Sequence, residues 1–456
     1  MLKRLLDRRK GNLSTGRDIP VAANPARRFE DNYLIKHVTI IGGGFSGTLL
    51  AINLLRHDGP RVTLIERAAL GRGIAYGTRQ TEHLLNVRTA NMSAFPDQPD
   101  HLVRWLSSHD HGFDAADFIP RGLYGGYLRD LLDTAAASSP RRLDLVAADA
   151  LAVEERGDGH RVRLSDGHHV DTDAVVLALG NLPPHVPATL QPVAGHPAFI
   201  RNPWSIQPTL GDLAHGLSEA DTLLLIGSGL TMVDVAVQLD SAGFKGRMIA
   251  ISRRGLLPHR HASGGAHPAR RRERPAPPLS RMLRAVRDRA SDIGWRSAVD
   301  ELRPFTQAIW QSADDATRAR FLRHLRPWWD VHRHRLAPRV ADRIACLIEA
   351  GRLEVRAGKI CRTKVADKKL NVVWRARGTA TTTTLDVSRI INCVGPQGDV
   401  TQVDEPLLGD MIANGTIRPD AERLGIDVDA TARVRSFDGQ ANESIFAVGP
   451  MTRGAF

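Results

Sequence analysis

From His37 to Arg67 the sequence reads HVTIIGGGFSGTLLAINLLRHDGPRVTLIER. Few folds accommodate that order: a β-branched strand, a glycine turn, an amphipathic helix and a second strand that ends in an acid. Gly42 makes the tight turn, Gly44 lets the backbone approach a pyrophosphate, and Gly47 lets the helix lie close on the strand. Phe45 and Ser46 open the helix, whose unpaired N–H groups and dipole favour an anion. Glu66, 24 residues after Gly42, stands where a carboxylate accepts hydrogen bonds from adenosine ribose hydroxyls. Arg67 follows it in the same candidate site. The competing reading is a glycine-rich turn in an unrelated α/β protein; the complete order of parts favours a dinucleotide site.

Later segments decide which dinucleotide. AVVLALGN, Ala174 to Asn181, reads as a buried strand followed by a glycine, Gly180, that can lie against a nucleotide. SIFAVGP, Ser444 to Pro450, is a second such pair, ending at Gly449. A nucleotide domain to which the chain returns in this way is discontinuous in sequence, as FAD domains are, and FAD is the expected cofactor.

Between those segments the pattern recurs as DTLLLIGSGLTMVDVAVQL from Asp221. Gly227 and Gly229 match the first two glycines, Ser228, Leu230 and Thr231 complete the turn and helix start, and Met232 holds the third position. Met232 predicts a looser contact of helix and strand. The next strand, RMIAIS, ends in Ser252, Arg253 and Arg254 instead of an acid. A carboxylate there would repel the 2′-phosphate of NADPH, whereas an arginine pairs with it through charge-assisted hydrogen bonds. NADPH is therefore expected over NADH, against the alternative of a solvated basic strand end. RIINCVGP, Arg389 to Pro396, reads as the closing strand of this second domain.

A chain of 456 residues exceeds one ordinary core. The fold expected is α/β, with two Rossmann-like, three-layer dinucleotide-binding domains, the second inserted in the first. The boundaries read as a basic, disordered tail over 1–33, a first part of the FAD domain over 34–190, an NAD(P)H domain over 191–396 with a helical insertion at about 258–337, and the second part of the FAD domain over 397–456. No apolar run approaches the ~18 residues that span a bilayer, so no membrane span is expected. Cys346, Cys361 and Cys393 form no Cys-x-x-Cys pair, which argues for a reducing, cytoplasmic setting and against a flavoprotein disulfide reductase. The formal charge of +12 concentrates in the tail and at Arg270, Arg271, Arg272 and Arg274. With 5% aromatic residues and no nucleic-acid motif near either cluster, no nucleic-acid partner is expected.

The motifs IIGGGFSGTLLAINLL, LGRGIAYGT, HLLNVRTANMSAFPDQPDHLVRWL, RHLRPWWDVHRHRLAP and AVGPMTRGAF together resemble the bacterial FAD/NAD(P)-binding proteins of the YdhS-like group, from about Ile35 to the end. That group is similar in layout to flavin-containing and N-hydroxylating monooxygenases. The resemblance implies that Arg72 and Gly73 lie near the FAD phosphates, and Asn86 and Val87 near the isoalloxazine ring. Two departures accompany it. The FxGxxxHxxx(Y/W) fingerprint of flavin-containing monooxygenases is not found after Gly180; the nearest stretch, GHPAFIRNPW, does not fit. Relatives also continue beyond the TRGAF motif into a tryptophan and a helix, so an end at Phe456, if natural, implies weaker FAD affinity or activity.

Residues His259 to Pro278 read as a mobile loop, with helical patterns from about Leu279 to Leu325. HLRPWWDVHRHRLAP then gathers Trp328, Trp329, Asp330, His332 and His334. A metal site with His324 is one reading, but no zinc spacing is present; a substrate-facing wall and a helix–loop junction with two core tryptophans are the others. No metal is expected. No Ser-His-Asp or Cys-His arrangement occurs, and a flavoenzyme needs none. NADPH would reduce FAD, reduced flavin would capture dioxygen, and a small nucleophilic substrate would be oxygenated, nitrogen compounds being among those suited to that chemistry. The alternatives are a reductase serving a quinone or protein acceptor, and a non-catalytic flavin-binding protein.

Overall fold

A computed structural model of the protein describes residues 1, 5, 35–68, 70–205, 213–262, 273–367 and 369–456. The basic tail, apart from two residues, and the run Arg270–Arg272 lie outside the described residues, as does half of the loop predicted from His259 to Pro278. Contacts divide the chain into two compact units, Met1–Gly77 with Leu123–Leu182 and Gly398–Phe456, and Thr78–Gly122 with Pro183–Gln397.

The first unit is built on a six-stranded sheet in the order Arg433–Arg435, Ala441–Ala447, Ala174–Leu177, His37–Ile41, Arg61–Ile65 and Leu143–Val146. All neighbours are parallel except the first pair. His37–Ile41 and Ala174–Leu177 are apolar without alternation because both faces of a parallel sheet are covered. Helix Phe45–Arg56 buries Leu50, Ala51, Leu54 and Leu55. A second core joins Ile41, Ile65, Val175 and Leu177 to an antiparallel three-stranded meander and to helix Pro406–Ala413, through Val153, Val162, Leu408 and Met411.

The second unit holds a seven-stranded sheet, in the order Thr382–Val387, Lys369–Ala376, Leu353–Ala366, Arg247–Ser252, Thr222–Ile226, Arg389–Asn392 and Phe199–Ile200. Its last five members run parallel and its first three form an antiparallel meander. Successive residues of Thr222–Ile226 feed opposite layers, as a strand requires. Leu223 and Leu225 pack with Met232, Val233 and Ala236 of helix Leu230–Ser241, while Leu224 and Ile226 pack with Val372 and Trp374. Five α-helices, from Leu279–Ile293 to Arg326–Arg333, stand between Arg247–Ser252 and helix Pro338–Glu349 as the helical insertion. Asp314 caps one of them by accepting the Thr317 N–H at 2.8 Å. The architecture is two nested dinucleotide-binding α/β units.

Thr78–Gly122 packs with the second unit, whereas the sequence reading runs the first domain through residue 190. An ion pair joins the two segments. Arg121 makes a bidentate pair with Asp234 at 2.7 and 3.1 Å, and both side chains are largely out of water. His83 lies beside them, with Nε2 3.2 Å from the Asp234 carbonyl and Nδ1 2.9 Å from the Thr78 hydroxyl. Donation from Nε2 and acceptance at Nδ1 satisfy a neutral ring, and burial pushes its pKa below the usual histidine value of 6.5.

The same sign holds for His37, His160 and His261, in each of which burial is the largest cause. A depressed histidine stays neutral in the fold while the unfolded chain takes up a proton near pH 6.5, so its stabilisation is present above that pH and is lost on acidification below it. Stability to urea is therefore expected to fall as the pH is lowered from about 7.5 to about 5.5, with a slope below the limit of about 1.4 kcal/mol per pH unit for one proton at each site, since these rings keep some contact with water. Carboxylates such as Asp429, held down to about 2 against burial by Thr431 and Arg433, act only at lower pH. A flat profile over that interval would contradict the histidine assignment.

Candidate functional site

The two glycine turns have the same backbone geometry. Gly42 has φ +107° and Gly227 φ +109°, a region that favours glycine. A Cβ on Gly42 would stand 2.4 Å from the Ala178 carbonyl oxygen, and one on Gly227 2.6 Å from that of Cys393. Each turn is pinned on both sides. Gly42 N–H donates to Ile65 O and Ala178 N–H to Ile41 O, both at 2.8 Å; Gly227 N–H donates to Ile251 O at 2.8 Å and Cys393 N–H to Ile226 O at 2.9 Å. Gly44 and Gly229 then serve as N-caps in extended conformation, with ψ −163° and −164° and no capping side chain. The N–H groups at both helix starts lack intrahelical partners and can hold an anion.

In the first unit the structure brings Gly42, Gly44, Phe45, Ser46, Gly47, Glu66, Gly73 and Gly449 around one turn. A Cβ on Gly47 would lie 1.9 Å from Gly42 O, one on Gly73 3.0 Å from Gly44 Cα, and one on Gly449 2.5 Å from Ser46 Oγ. Glu66 accepts the Gly43 N–H at Oε2 (2.8 Å) and the Ala68 N–H at Oε1 (2.9 Å). Each oxygen keeps a further lone pair for a hydroxyl donor. Phe45 is exposed and packs edge-on against Tyr76, at 5.7 Å between ring centroids. Gly180, φ +72°, follows the strand beside Gly42, and a side chain there would enter open space. Arg72 is exposed, and among the described residues its guanidinium has no partner. Arg67, by contrast, is held between Asp149 at 2.8 Å and Glu405 at 2.9 Å, so its guanidinium ties two parts of the first unit together.

In the second unit Ser228 Oγ turns inward, within hydrogen-bonding distance of Ser252 Oγ (2.8 Å) and the Leu256 carbonyl (2.5 Å). It fixes the turn to the end of the next strand. Leu230 and Thr231 open the helix, and Met232 is fully buried beneath it. Of the two arginines at that strand end, Arg253 is exposed and has no partner among the described residues, whereas Arg254 leans on the Arg323 carbonyl at 3.4 Å. Asn86 and Val87 are grouped with this unit. The Asn86 carbonyl lies 3.0 Å from His261 Nε2, and His261 packs on Phe118 at 5.0 Å.

Residues 39–182 match the family described as FAD-NAD(P)-binding. A salicylate hydroxylase of Pseudomonas putida is 25% identical over 150 residues, which are 30% of this chain and 34% of that protein. The match thus spans about a third of the relative's length. Among solved structures, ornithine hydroxylase from Pseudomonas aeruginosa in its reduced form aligns with a TM-score of 0.63 at 15% identity, covering 92% of this chain and 94% of that one. The FAD-bound cadaverine monooxygenase of Erwinia amylovora aligns at 0.62 and 13%, covering 93% and 90%, and L-lysine 6-monooxygenase from Pseudomonas syringae at 0.60 and 18%, covering 92% and 93%. At such identities the likeness is one of fold. The chain carries an FAD/NAD(P)-binding domain within that fold.

The tryptophan–histidine segment forms helix Arg326–Arg333, with Trp328 exposed and His332 packed against His259 and Trp295. Among the described residues no group of three or more His, Cys, Asp or Glu could hold a metal ion. No helix of the described residues is long and apolar enough to cross a membrane. The three cysteines are free. Sequence reasoning missed the Arg121–Asp234–His83 network, whose partners are far apart in the chain and belong to no motif.

Proposed function

We propose that the protein is an FAD-dependent oxidoreductase that draws electrons from NADPH and oxygenates a small nitrogen-containing nucleophile. The observation that carries this reading is the pair of glycine turns with matching backbone geometry, one in each unit, with Glu66 at the end of one second strand and the unpaired Arg253 at the end of the other. Bound FAD would supply hydride acceptance and, once reduced, reactivity toward dioxygen. The protein's part is binding and orientation. The N–H groups of Gly44, Phe45 and Ser46 would hold the FAD pyrophosphate, Glu66 the adenosine ribose, and Arg72 with Gly73 the phosphates from the neighbouring loop. The N–H groups from Gly229 to Thr231 would hold the NADPH pyrophosphate, and Arg253 its 2′-phosphate. Asn86 and Val87 would flank the isoalloxazine, in keeping with the YdhS-like motifs, and the two units would serve as the FAD and NAD(P)H domains.

The named neighbours act on ornithine, lysine and cadaverine, which supports an amine as the substrate class. Oxygen consumption tests this part of the reading. With NADPH and a panel of amines, uptake is expected to rise with one of them and to be accounted for by hydroxylated product; turnover that gives only hydrogen peroxide with every amine would contradict it.

Arg253→Ala is expected to weaken NADPH binding about tenfold or more, as loss of a charge-assisted contact to a phosphate should, and to leave NADH binding unchanged. Equilibrium titration of the two nucleotides measures the ratio. Equal loss for both would place the arginine outside 2′-phosphate recognition.

A further inference from the structure

The helical insertion gathers positive charge that its own carboxylates do not neutralise. Helix Trp295–Asp300, helix Arg326–Arg333 and the segment His259–His261 meet around Arg335, which is 3% exposed and paired with Asp300 at 2.6 and 3.1 Å. Two further arginines there are matched, Arg260 with Asp342 and Arg326 with Asp330. Arg296 and Arg333 are not: among the described residues neither has a carboxylate partner. Arg296 is fixed in place, with its guanidinium carbon 4.4 Å from the centre of the Trp295 ring and its Nε donating to the Arg260 carbonyl at 3.0 Å. Among the described residues its two terminal nitrogens have no hydrogen-bond partner. Half-buried Arg333 is pushed down to about 10 by burial and by the charge of Arg303.

Two histidines complete the same face. His259, Trp295 and His332 pack mutually, at 4.9, 4.6 and 4.8 Å between ring centroids. His332 Nδ1 lies 2.7 Å from the Trp328 carbonyl oxygen, so Nδ1 is the donor, and among the described residues Nε2 has no hydrogen-bond partner. His259 has no hydrogen-bond partner on its ring among the described residues, and burial together with the charges of His332, Arg296 and Arg335 holds it in the neutral form. Guanidinium groups removed from water without an anion are unfavourable, and an arginine locked over an aromatic ring is pre-organised to receive one.

We propose that Arg296, His259 and His332 form a binding site for the oxyanion of a small ligand, a carboxylate or a phosphate, on the helical insertion. The anion would accept hydrogen bonds from the terminal nitrogens of Arg296 and from a histidine that becomes protonated as it binds, with Arg335 and Arg333 adding favourable potential. The site is independent of the dinucleotide turns and does not require the enzyme reading.

Sodium phosphate and sodium citrate, each compared with sodium chloride at equal ionic strength, test this on the full chain saturated with FAD and NADP+. Saturable binding of at least one anion is expected by calorimetry, with uptake of a proton. Binding should weaken about tenfold or more in Arg296→Gln and in His259→Asn, and be unchanged in Arg163→Gln, an exposed arginine of the first unit. Preference for phosphate would identify a phosphate-bearing ligand, and preference for citrate a carboxylate. If Arg296→Gln does not fold, His259→Asn carries the test alone. The proposal is overturned if neither anion binds beyond the effect of ionic strength, or if binding survives in the Arg296 and His259 variants, or if it disappears in Arg163→Gln.

Discussion

Gly42→Ala is expected to give a protein that purifies without flavin and unfolds at lower urea concentration. At φ +107° an alanine is strained, and its Cβ would stand 2.4 Å from the Ala178 carbonyl oxygen. Neither group can move freely. The carbonyl belongs to the residue that closes the sheet beside Gly42, and the turn is pinned by its own hydrogen bond to Ile65. Backbone strain and overpacking each cost about 1–3 kcal/mol, so a loss of about 3 kcal/mol is expected, together with displacement of the N–H groups at the helix start. Gly112→Ala is the control, since its backbone is not in the left-handed region and a Cβ there meets nothing within 4 Å. Flavin content and urea midpoint report the two effects separately. A yellow Gly42→Ala protein with an unshifted midpoint would show that the turn is neither tight nor near the cofactor.

Asp234→Ala is expected to destabilise the second unit by about 3–5 kcal/mol, because it leaves the Arg121 guanidinium buried without its counter-charge. Arg121 and Asp234 are 18% and 10% exposed at their side chains, so water cannot substitute. The double variant Arg121→Met with Asp234→Leu removes both charges and should recover most of the loss. Urea unfolding of the two single variants and the double measures the coupling. If the double variant is as unstable as the sum of the singles, the pair is not the interaction that ties Thr78–Gly122 to the second unit.

The parts of the fold that were legible in the sequence are those in which backbone sterics dictate residue type. Gly42, Gly47 and Gly227 are glycines because a carbonyl oxygen occupies the place of a Cβ, and that necessity is written as a motif. Ala174–Leu177 and Arg389–Asn392 were legible as strands because parallel sheets favour uninterrupted apolar runs. What could not be read has no local signature. Arg121 and Asp234 are ordinary polar residues in sequence, and only folding places them at 2.7 Å. Glu66 illustrates the middle case: its position at a strand end was plain, but its acceptance of the Gly43 and Ala68 N–H groups was not. Arg67 and Arg254 stand in the sequence beside nucleotide motifs, yet one is engaged by two carboxylates and the other by a backbone carbonyl.

In the proposed enzyme one chain binds FAD and NADPH and passes electrons between them. The most direct test is anaerobic addition of NADPH to the purified protein while the oxidised flavin band near ~450 nm is followed. Rapid bleaching by NADPH is expected, with slower bleaching by NADH and a loss of that preference in Arg253→Ala. A protein without flavin, or a bound flavin that neither nucleotide reduces, would leave the nested α/β fold in place and contradict the proposed enzyme.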